Sequence, residues 1–420
     1  MLGDPLLDEL EGRAVSGSQS LAAVVARLDQ ARALALGTRA ALYPAASITA
    51  GAARERISAN RPLTDYGRPN SSTLQYEFST GLSARWEADV FGRIRRTIES
   101  ADAAAEQSAA DLENARLMLA AELAGDYLNL RELDSEVDVV RQSLDLQNRA
   151  LDFVGSRHDL GAASGLDVAQ QEAQLNATRT QLELLVSQRA SFQHAIAALV
   201  GAPAPTFRIE AGSLPGVPPP PPLGIPSDLL ERRPDVAAAE RAMASANAQI
   251  GVAKAAFYPS FVLAPNIGVD SRMLSTLFNA PSLLWAFGVQ ASQLVFDAGR
   301  AQANVLYAQA GYQAALANYR QTLLTAMQEV ENGISGLDQL SRASGDARAA
   351  VSASQRLLGL ANDRYSGGLA TYLDVISAQQ FLLTNQRQDV QIRGQQMLTT
   401  VALVRALGGG YLAPGTSTRE

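Results

Sequence analysis

Two periodicities divide this chain between strands and helices. In TLQYEFSTGLSARW (73–86), Leu74, Tyr76, Phe78, Leu82, Ala84 and Trp86 take the even positions and Gln75, Glu77, Ser79, Ser83 and Arg85 the odd ones. A period of two predicts a strand with one apolar face, here long enough to cross lipid. Phe261, Leu263, Ile267 and Val269, then Trp285, Phe287, Val289 and Ala291, repeat the pattern in a second pair of strands. Pro265 interrupts it, since a proline has no N–H to give a closed ladder. Loops such as NRPLTDYGRPNSS (60–72) separate the strands and are rich in turn formers. The edge of a soluble sandwich would show the same alternation.

Elsewhere the period is helical. From about 92 to 158 there is no proline, and Leu119, Leu123, Tyr127, Leu130, Leu133, Val137, Val140, Leu144, Leu151 and Val154 form a stripe spaced by threes and fours. This predicts a coiled-coil-like helix of roughly 65 residues, about 100 Å long at 1.5 Å per residue. A partner rod runs over 301–364, and Gly161 and Gly368 turn the rods into returning helices at 165–200 and 372–407.

The chain is duplicated. RHDLGAASGLDV (157–168) matches RYSGGLATYLDV (364–375), and Gly92-Arg93 matches Gly299-Arg300, both at an offset of 207. AALYP (40–44) and AAFYP (255–259) match at 215, so the first copy carries a longer strand loop. The expected plan is an N-terminal segment and helix (1–42), a strand hairpin (43–91), a long helical hairpin (92–201) and a proline-rich linker (202–228). It then repeats as a helix (229–258), a second strand hairpin (259–298) and a second helical hairpin (299–408), before a disordered tail (409–420). Five prolines, 218–222, force the linker into an extended spacer. Ser227 or Asp228 caps a short helix, and Pro234 opens the next, running to Tyr258.

Composition narrows the function. No run of roughly 18 apolar residues occurs, so only β-strands could carry this chain through a bilayer. A net charge of -7 with interspersed signs argues against nucleic acid and leaves no polybasic lipid-binding surface. There is no cysteine and only two histidines, His158 and His194, neither with a second ligand at metal spacing. Nucleophile elbows, P-loops and dinucleotide fingerprints are absent, so no enzyme, cofactor or metal centre is expected. Residues 1–5 show neither a basic nor an apolar signal region. Four strands cannot close a barrel, and an open edge cannot stand in lipid, so several chains must combine. Two would supply eight strands and three would supply twelve; an eight-stranded barrel fills itself, so a conduit favours three.

The chain resembles the TolC family of outer-membrane factors, closest to its NodT/OprM-like branch. The resemblance rests on IPSDLLERRPDVAAAERAMASANAQIGVAKAAFYPS (225–260), WEADVFGRIR (86–95), FDAGR (296–300), YLDVISAQ (372–379) and the opening DPLLDEL (4–10). It implies a mainly α protein with a membrane β-barrel: a homotrimer with twelve strands in the outer membrane of a Gram-negative bacterium and twelve helices across the periplasm. Substrate would pass from an inner-membrane pump of the resistance-nodulation-division type, through a periplasmic adaptor, to the exterior. The chain as written has no cysteine for the N-terminal lipid that many members of the branch carry.

The resemblance also implies sites. Leu373, Asp374 and Ser377 match an iris-like periplasmic gate; Asp374 falls on one of two carboxylate positions, and Ser377 replaces the other. Three copies of Asp374 would form an acidic ring that attracts cations, whereas by itself Asp374 reads as a carboxylate at a helix N-terminus. Asp167 and Tyr365 match a bridge between hairpins, with Ala370 where the family has an arginine; Tyr365 equally reads as a packed helix-end aromatic. Leu160, Gly161, Gly367 and Gly368 match tips that meet the adaptor. Tyr43, Trp86, Tyr258 and Trp285, at strand ends, are candidate membrane-interface aromatics. The rival reading is a periplasmic coiled-coil adaptor or scaffold without a pore, which has one helical hairpin where this chain has two.

Overall fold

The computed structural model describes residues 4–62, 67, 69–216 and 232–409. The proline run 218–222, the proposed cap at Ser227 or Asp228 and the tail from 410 lie outside the described residues. The chain divides into two compact units, Leu28–Ser108 with Ala239–Tyr319, and Met1–Arg27 with Ala109–Ala238 and Arg320–Glu420. Its elements in order are helices α1 (Pro5–Gly17) and α2 (Gln19–Arg39), strands β1 (Ala45–Ile57) and β2 (Thr73–Ala88), and helices α3 (Arg93–Asp159) and α4 (Gly165–Leu199). Helix α5 (Pro234–Ala255), strands β3 (Ser260–Leu263), β4 (Asn266–Ser271), β5 (Leu283–Ala286) and β6 (Val289–Ser292), and helices α6 (Arg300–Ser366) and α7 (Tyr372–Ala406) follow.

The duplication extends to element boundaries: α3 and α6 both have 67 residues, and α4 and α7 both have 35. Each long helix begins at a glycine with positive φ, 78° at Gly92 and 90° at Gly299. A nearby aspartate covers the free N–H groups that follow. Asp89 accepts from the backbone of Ile94 and Arg95, and Asp297 from Gly299 and Ala301. The shared Gly-Arg motif is thus a strand-to-helix corner. Helix α5 ends at Ala255 rather than at Tyr258; the backbone N–H groups of Ala256, Phe257 and Tyr258 bond three residues back. Pro259 accounts for this tightening, because the residue before a proline avoids the α region.

In the first unit the strand segments form one antiparallel sheet in the order β5-β4-β2-β3-β6, with β1 on the other side of β2. Trp86 pairs with Leu263 and Leu82 with Ile267, so β3 and β4 lie on β2 in a single unbroken register. Likewise Ile267 pairs with Trp285 and Leu263 with Val289, so β5 and β6 also share one register. The six segments therefore amount to four strands, two of them interrupted. Pro265 sits in the gap, where it donates nothing yet accepts from the N–H of Ala84.

In the second unit, helices α3, α4 and α7 enclose Leu133, Val137, Val140, Leu144, Leu175, Leu185 and Leu383. The apolar stripe of α3 is its buried face: Leu123, Leu130, Val140 and Val154 have no exposed surface. Fully burying such side chains contributes about 1.5–3 kcal/mol each. The chain that follows α4 is strapped to these helices by polar contacts. Asp134 bonds Arg131, Arg189 and the backbone N–H of Gly212. The two guanidiniums in turn donate to the carbonyls of Glu210 and Ile209.

Candidate functional site

The sheet register assigns each strand residue to a face. One face carries Ile48, Leu82, Ile267 and Trp285 as a row across the four strands, with Phe78, Trp86, Leu263 and Val289 in neighbouring rows. The other carries Ser47, Ser83, Asn266 and, farther along, Glu77, Asp270 and Gln290. One face is thus apolar and the other mainly polar or small. Along β2, Trp86 and Phe78 lie on the apolar face eight residues apart, which is about 27 Å at 3.4 Å per residue. With strands tilted by about 40°, that length spans roughly 21 Å of height, most of the apolar band of roughly 25 Å on membrane barrels.

Three of the four candidate interface aromatics gather at the helix-facing end of the sheet. The indole N–H of Trp86 donates to the carbonyl of Leu42 at 2.8 Å, beside exposed Tyr43. Tyr258 stacks on Phe91 with ring centroids 4.7 Å apart. Trp285 does not join them. Its pairing with Ile267, and so with the row of Leu82, sets it midway along the apolar face, because the second strand pair is shorter than the first. Tyr76 and Phe78, stacked at 6.4 Å, occupy the far part of the face instead.

The two helical hairpins turn in the same way. Gly161 and Gly368 have φ of 74° and 71°, a left-handed conformation that glycine adopts without a Cβ penalty. The N–H of Gly161 donates to His158 and that of Ala162 to Arg157; at the second tip Gly368 donates to Tyr365 and Leu369 to Arg364. Both are paired backbone closures of a helix C-terminus. Gly367 precedes the second turn, its N–H bonded to Asp363. Leu160 and Leu369 project from the tips, 84% and 74% exposed. His158 Nδ1 lies 3.0 Å from the carbonyl of Ala163, which it engages as a donor, and His194 is exposed.

The expected gate residues stand at the start of α7. Leu373, Asp374 and Ser377 are all exposed, while Tyr372 just before them and Val375 and Ile376 between them are buried. Asp374 accepts from both the N–H and the hydroxyl of Thr371. Asp167, its counterpart in the first copy, closes the same kind of box with Ser164. Both carboxylates therefore cap helices. Tyr365 packs at 5.0 Å against Tyr372, under the guanidinium of Arg157. Burial first, and then the charge of Asp167, raises the pKa of the Tyr365 phenol. The hydrogen bond that joins the two hairpins here is a different one, from the Tyr372 hydroxyl to Gln171 Oε1 at 2.9 Å. Sequence reasoning missed it, since a glutamine within a polar helix carries no period or motif.

One further group stands out in the helical unit. Glu132 is pushed up to about pKa 7, by burial first and by the neighbouring Glu136 carboxylate second. Glu136 is itself held by Arg387 and Gln391. The carboxyl of Glu132 lies so close to Gly394 that a Cβ there would clash with it.

Over residues 10–202 and 225–409 the chain matches the family described as outer membrane efflux protein. It is 32% identical over 409 residues to the toluene efflux pump outer membrane protein TtgF of Pseudomonas putida, spanning 97% of this chain and 84% of that protein. It is 32% identical over 410 residues to the pyoverdine export outer membrane protein OpmQ of Pseudomonas aeruginosa, 97% and 86% of the two chains. Among solved structures, the outer-membrane channel OprN superposes with a TM-score of 0.92 at 30% identity, covering 97% of this chain and 91% of that one. The outer membrane protein VceC of Vibrio cholerae superposes at 0.90 with 28% identity, covering 97% of each chain.

Proposed function

Because this chain belongs to the outer membrane efflux protein family, we propose that three copies assemble into the exit duct of a tripartite efflux system. The protein is an outer-membrane channel of the efflux type and not an enzyme. This sets aside the adaptor reading. In the trimer, each copy lends four strands to a twelve-stranded barrel and two helical hairpins to a twelve-helix barrel across the periplasm. A periplasmic adaptor and an inner-membrane pump of the resistance-nodulation-division type complete the path.

One observation carries the assembly: a sheet of four strands with an apolar face, whose outer strands β1 and β5/β6 have no further strand partner among the described residues. Such edges must be paired before the sheet can enter lipid. Exposed Leu306, Tyr307, Leu324 and Met327 on α6 supply apolar surface for a neighbouring copy. Tyr43, Trp86 and Tyr258 mark the periplasmic border of the membrane, and outer-membrane lipid covers the apolar face between them and Phe78. Leu373 and Asp374, joined by Ser377, form the periplasmic constriction, and Asp167 and Tyr365 steady it. Leu160, Gly161, Gly367 and Gly368 form the tips that meet the adaptor. The decisive experiment is single-channel conductance of the purified protein in a planar bilayer, with mass measured on the same sample. A trimer giving small, cation-preferring steps that grow in Asp374→Ala is expected. A soluble species without steps would overturn the duct, and unchanged steps in Asp374→Ala the gate.

A further inference from the structure

In residue order, Arg54-Glu55-Arg56 at the end of β1 is a run of mixed charge, yet the period of two sorts it by face. Arg54 pairs with Tyr76 and Arg56 with Leu74, which places both arginines on the apolar face. Glu55 pairs with Gln75 on the other face and accepts from its amide at 2.8 Å. Both arginines are exposed, and among the described residues neither is paired with a carboxylate. The Arg54 guanidinium lies 5.2 Å from the ring centroid of Tyr76, and Arg56 Nε donates to Ser72 Oγ at 3.1 Å. The face that β1 builds from Ala46, Ile48, Ala50 and Ala52 thus ends in two cations.

Ten residues of β2 separate Trp86 from Tyr76, the partner of Arg54. That is about 34 Å of strand, or roughly 26 Å of height at a tilt of about 40°. Trp86 marks one border of the apolar band, so Arg54 stands at the opposite border and Arg56 just beyond it. An arginine on the lipid face of a barrel is costly at mid-bilayer and tolerated at the border, where headgroups lie. Back toward the middle of the band, Ala52 and Ala50 lead past Phe78 to Ile48, six residues or about 20 Å from Arg54. There Ile48, Leu82, Ile267, Val269 and Phe278 line an apolar hollow of about 320 Å³. Phe278 comes from the segment between β4 and β5, and at that level the second strand pair has ended: Ser271, the last residue of β4, pairs with Phe78. The same segment exposes Met273 and Leu274.

We infer that Arg54, Arg56 and this hollow form a docking site for lipopolysaccharide of the outer leaflet, the arginines taking phosphate of its lipid A headgroup and the hollow an acyl chain. The inference rests on the reading of the sheet as part of a membrane barrel whose hairpin ends face the exterior. Guanidinium forks match phosphate oxygens in pairs. Successive side chains on one strand face stand about 7 Å apart, so Arg54 and Arg56 present two forks to one phosphorylated headgroup. Stacking on Tyr76 holds the Arg54 fork in place while leaving its edge free to donate. Position selects the ligand: the same charges at the Trp86 border would meet the phospholipid headgroups of the inner leaflet, whereas here they face the leaflet that carries lipopolysaccharide.

The test is titration of the purified protein with defined ligands, alongside its oligomeric mass and single-channel conductance, for the parent, for Arg54→Gln combined with Arg56→Gln, and for Phe278→Ser. The probes are lipid A, phosphatidylglycerol and inorganic phosphate. A hydrogen bond to a charged group shifts an equilibrium by at least about tenfold, so the double arginine variant should bind lipid A at least about tenfold more weakly than the parent. Its mass and conductance should match the parent, since both arginines are exposed at a strand end far from the proposed gate. Phe278→Ser should also weaken lipid A; unchanged affinity there would remove the hollow from the site. Equal binding of lipid A by the parent and the double arginine variant overturns the docking site. Phosphatidylglycerol bound as tightly as lipid A overturns the choice of lipopolysaccharide, because any anionic headgroup would then serve. Inorganic phosphate that displaces lipid A at equal concentration overturns it too, by reducing the site to an anion site. A conducting trimer that binds no lipid A keeps the duct and loses the docking site. A chain that forms no trimer and gives no steps loses both.

Discussion

At the first helical tip Ser164 and Asp167 cap α4, and at the second Thr371 and Asp374 cap α7, with the turn glycines in the same conformation. One helical turn past each capping aspartate the likeness ends: buried Gln171 on α4 meets Tyr372, whereas its counterpart on α7 is Ala378, buried and without a polar side-chain atom. The copies therefore agree wherever the chain must turn and diverge where one hairpin meets the other. Turns are dictated by local backbone geometry, which both copies must satisfy alike. The interface between hairpins carries no such constraint. Buried polar residues of the first copy are not repeated in the second: Gln171, which meets the other hairpin, corresponds to Ala378, and Arg131 and Asp134, which hold the strap after α4, correspond to Asp338 and Ser341.

Exchanging residues between the copies tests this contrast. The largest effect is expected from Asp134→Ser, which places the second copy's residue in the first. It strands Arg131 and Arg189, both bonded to Asp134, and breaking a buried ion pair costs about 3–5 kcal/mol. The thermal midpoint should fall steeply; a midpoint within error of the parent would mean that the strap over 206–214 is held by its apolar contacts.

The next effect concerns the sheet, where the first strand pair is continuous and the second interrupted. Leu82→Arg and Ile267→Arg change the same row of the apolar face from opposite copies. Each should cost about 2–4 kcal/mol of membrane stability if that row lies near mid-bilayer. Ser83→Arg, on the other face, should leave the amount of trimer in outer-membrane fractions nearly unchanged. Equal losses at 82 and 83 would remove the assignment of faces.

The smallest effect is confined to pH. Glu132 has the neutral Gln339 as its counterpart in the second copy, and its folded pKa stands at about 7 against an ordinary 4.5. The protonated form is the one the folded chain prefers. Its contribution to stability is therefore fully present below about pH 4.5 and is lost as pH rises through about 7. In thermal midpoint, Glu132→Gln should match the parent at about pH 4 and exceed it at about pH 8. Parallel curves across that window would show that Glu132 is not the group responsible.

Much of this architecture is legible without coordinates, because it follows from local rules. The period-two segments, the proline-free helical stripe, the turn glycines and the duplication each leave a mark in residue order, as does the place of Asp374 at a helix N-terminus. Register, partners and depth are set by contacts between distant residues. Trp285 reads as an interface aromatic until its pairing with Ile267 sets it midway along the apolar face. Pro265 reads as a break until the continuous register on β2 shows one strand running past it. The bond from Tyr372 to Gln171 spans 201 positions in the chain, and no periodicity or motif couples residues so far apart. Residue order determines which segments turn, coil or extend; only packing decides which buried polar atoms meet, because a hydrogen bond depends on positions to within tenths of an ångström.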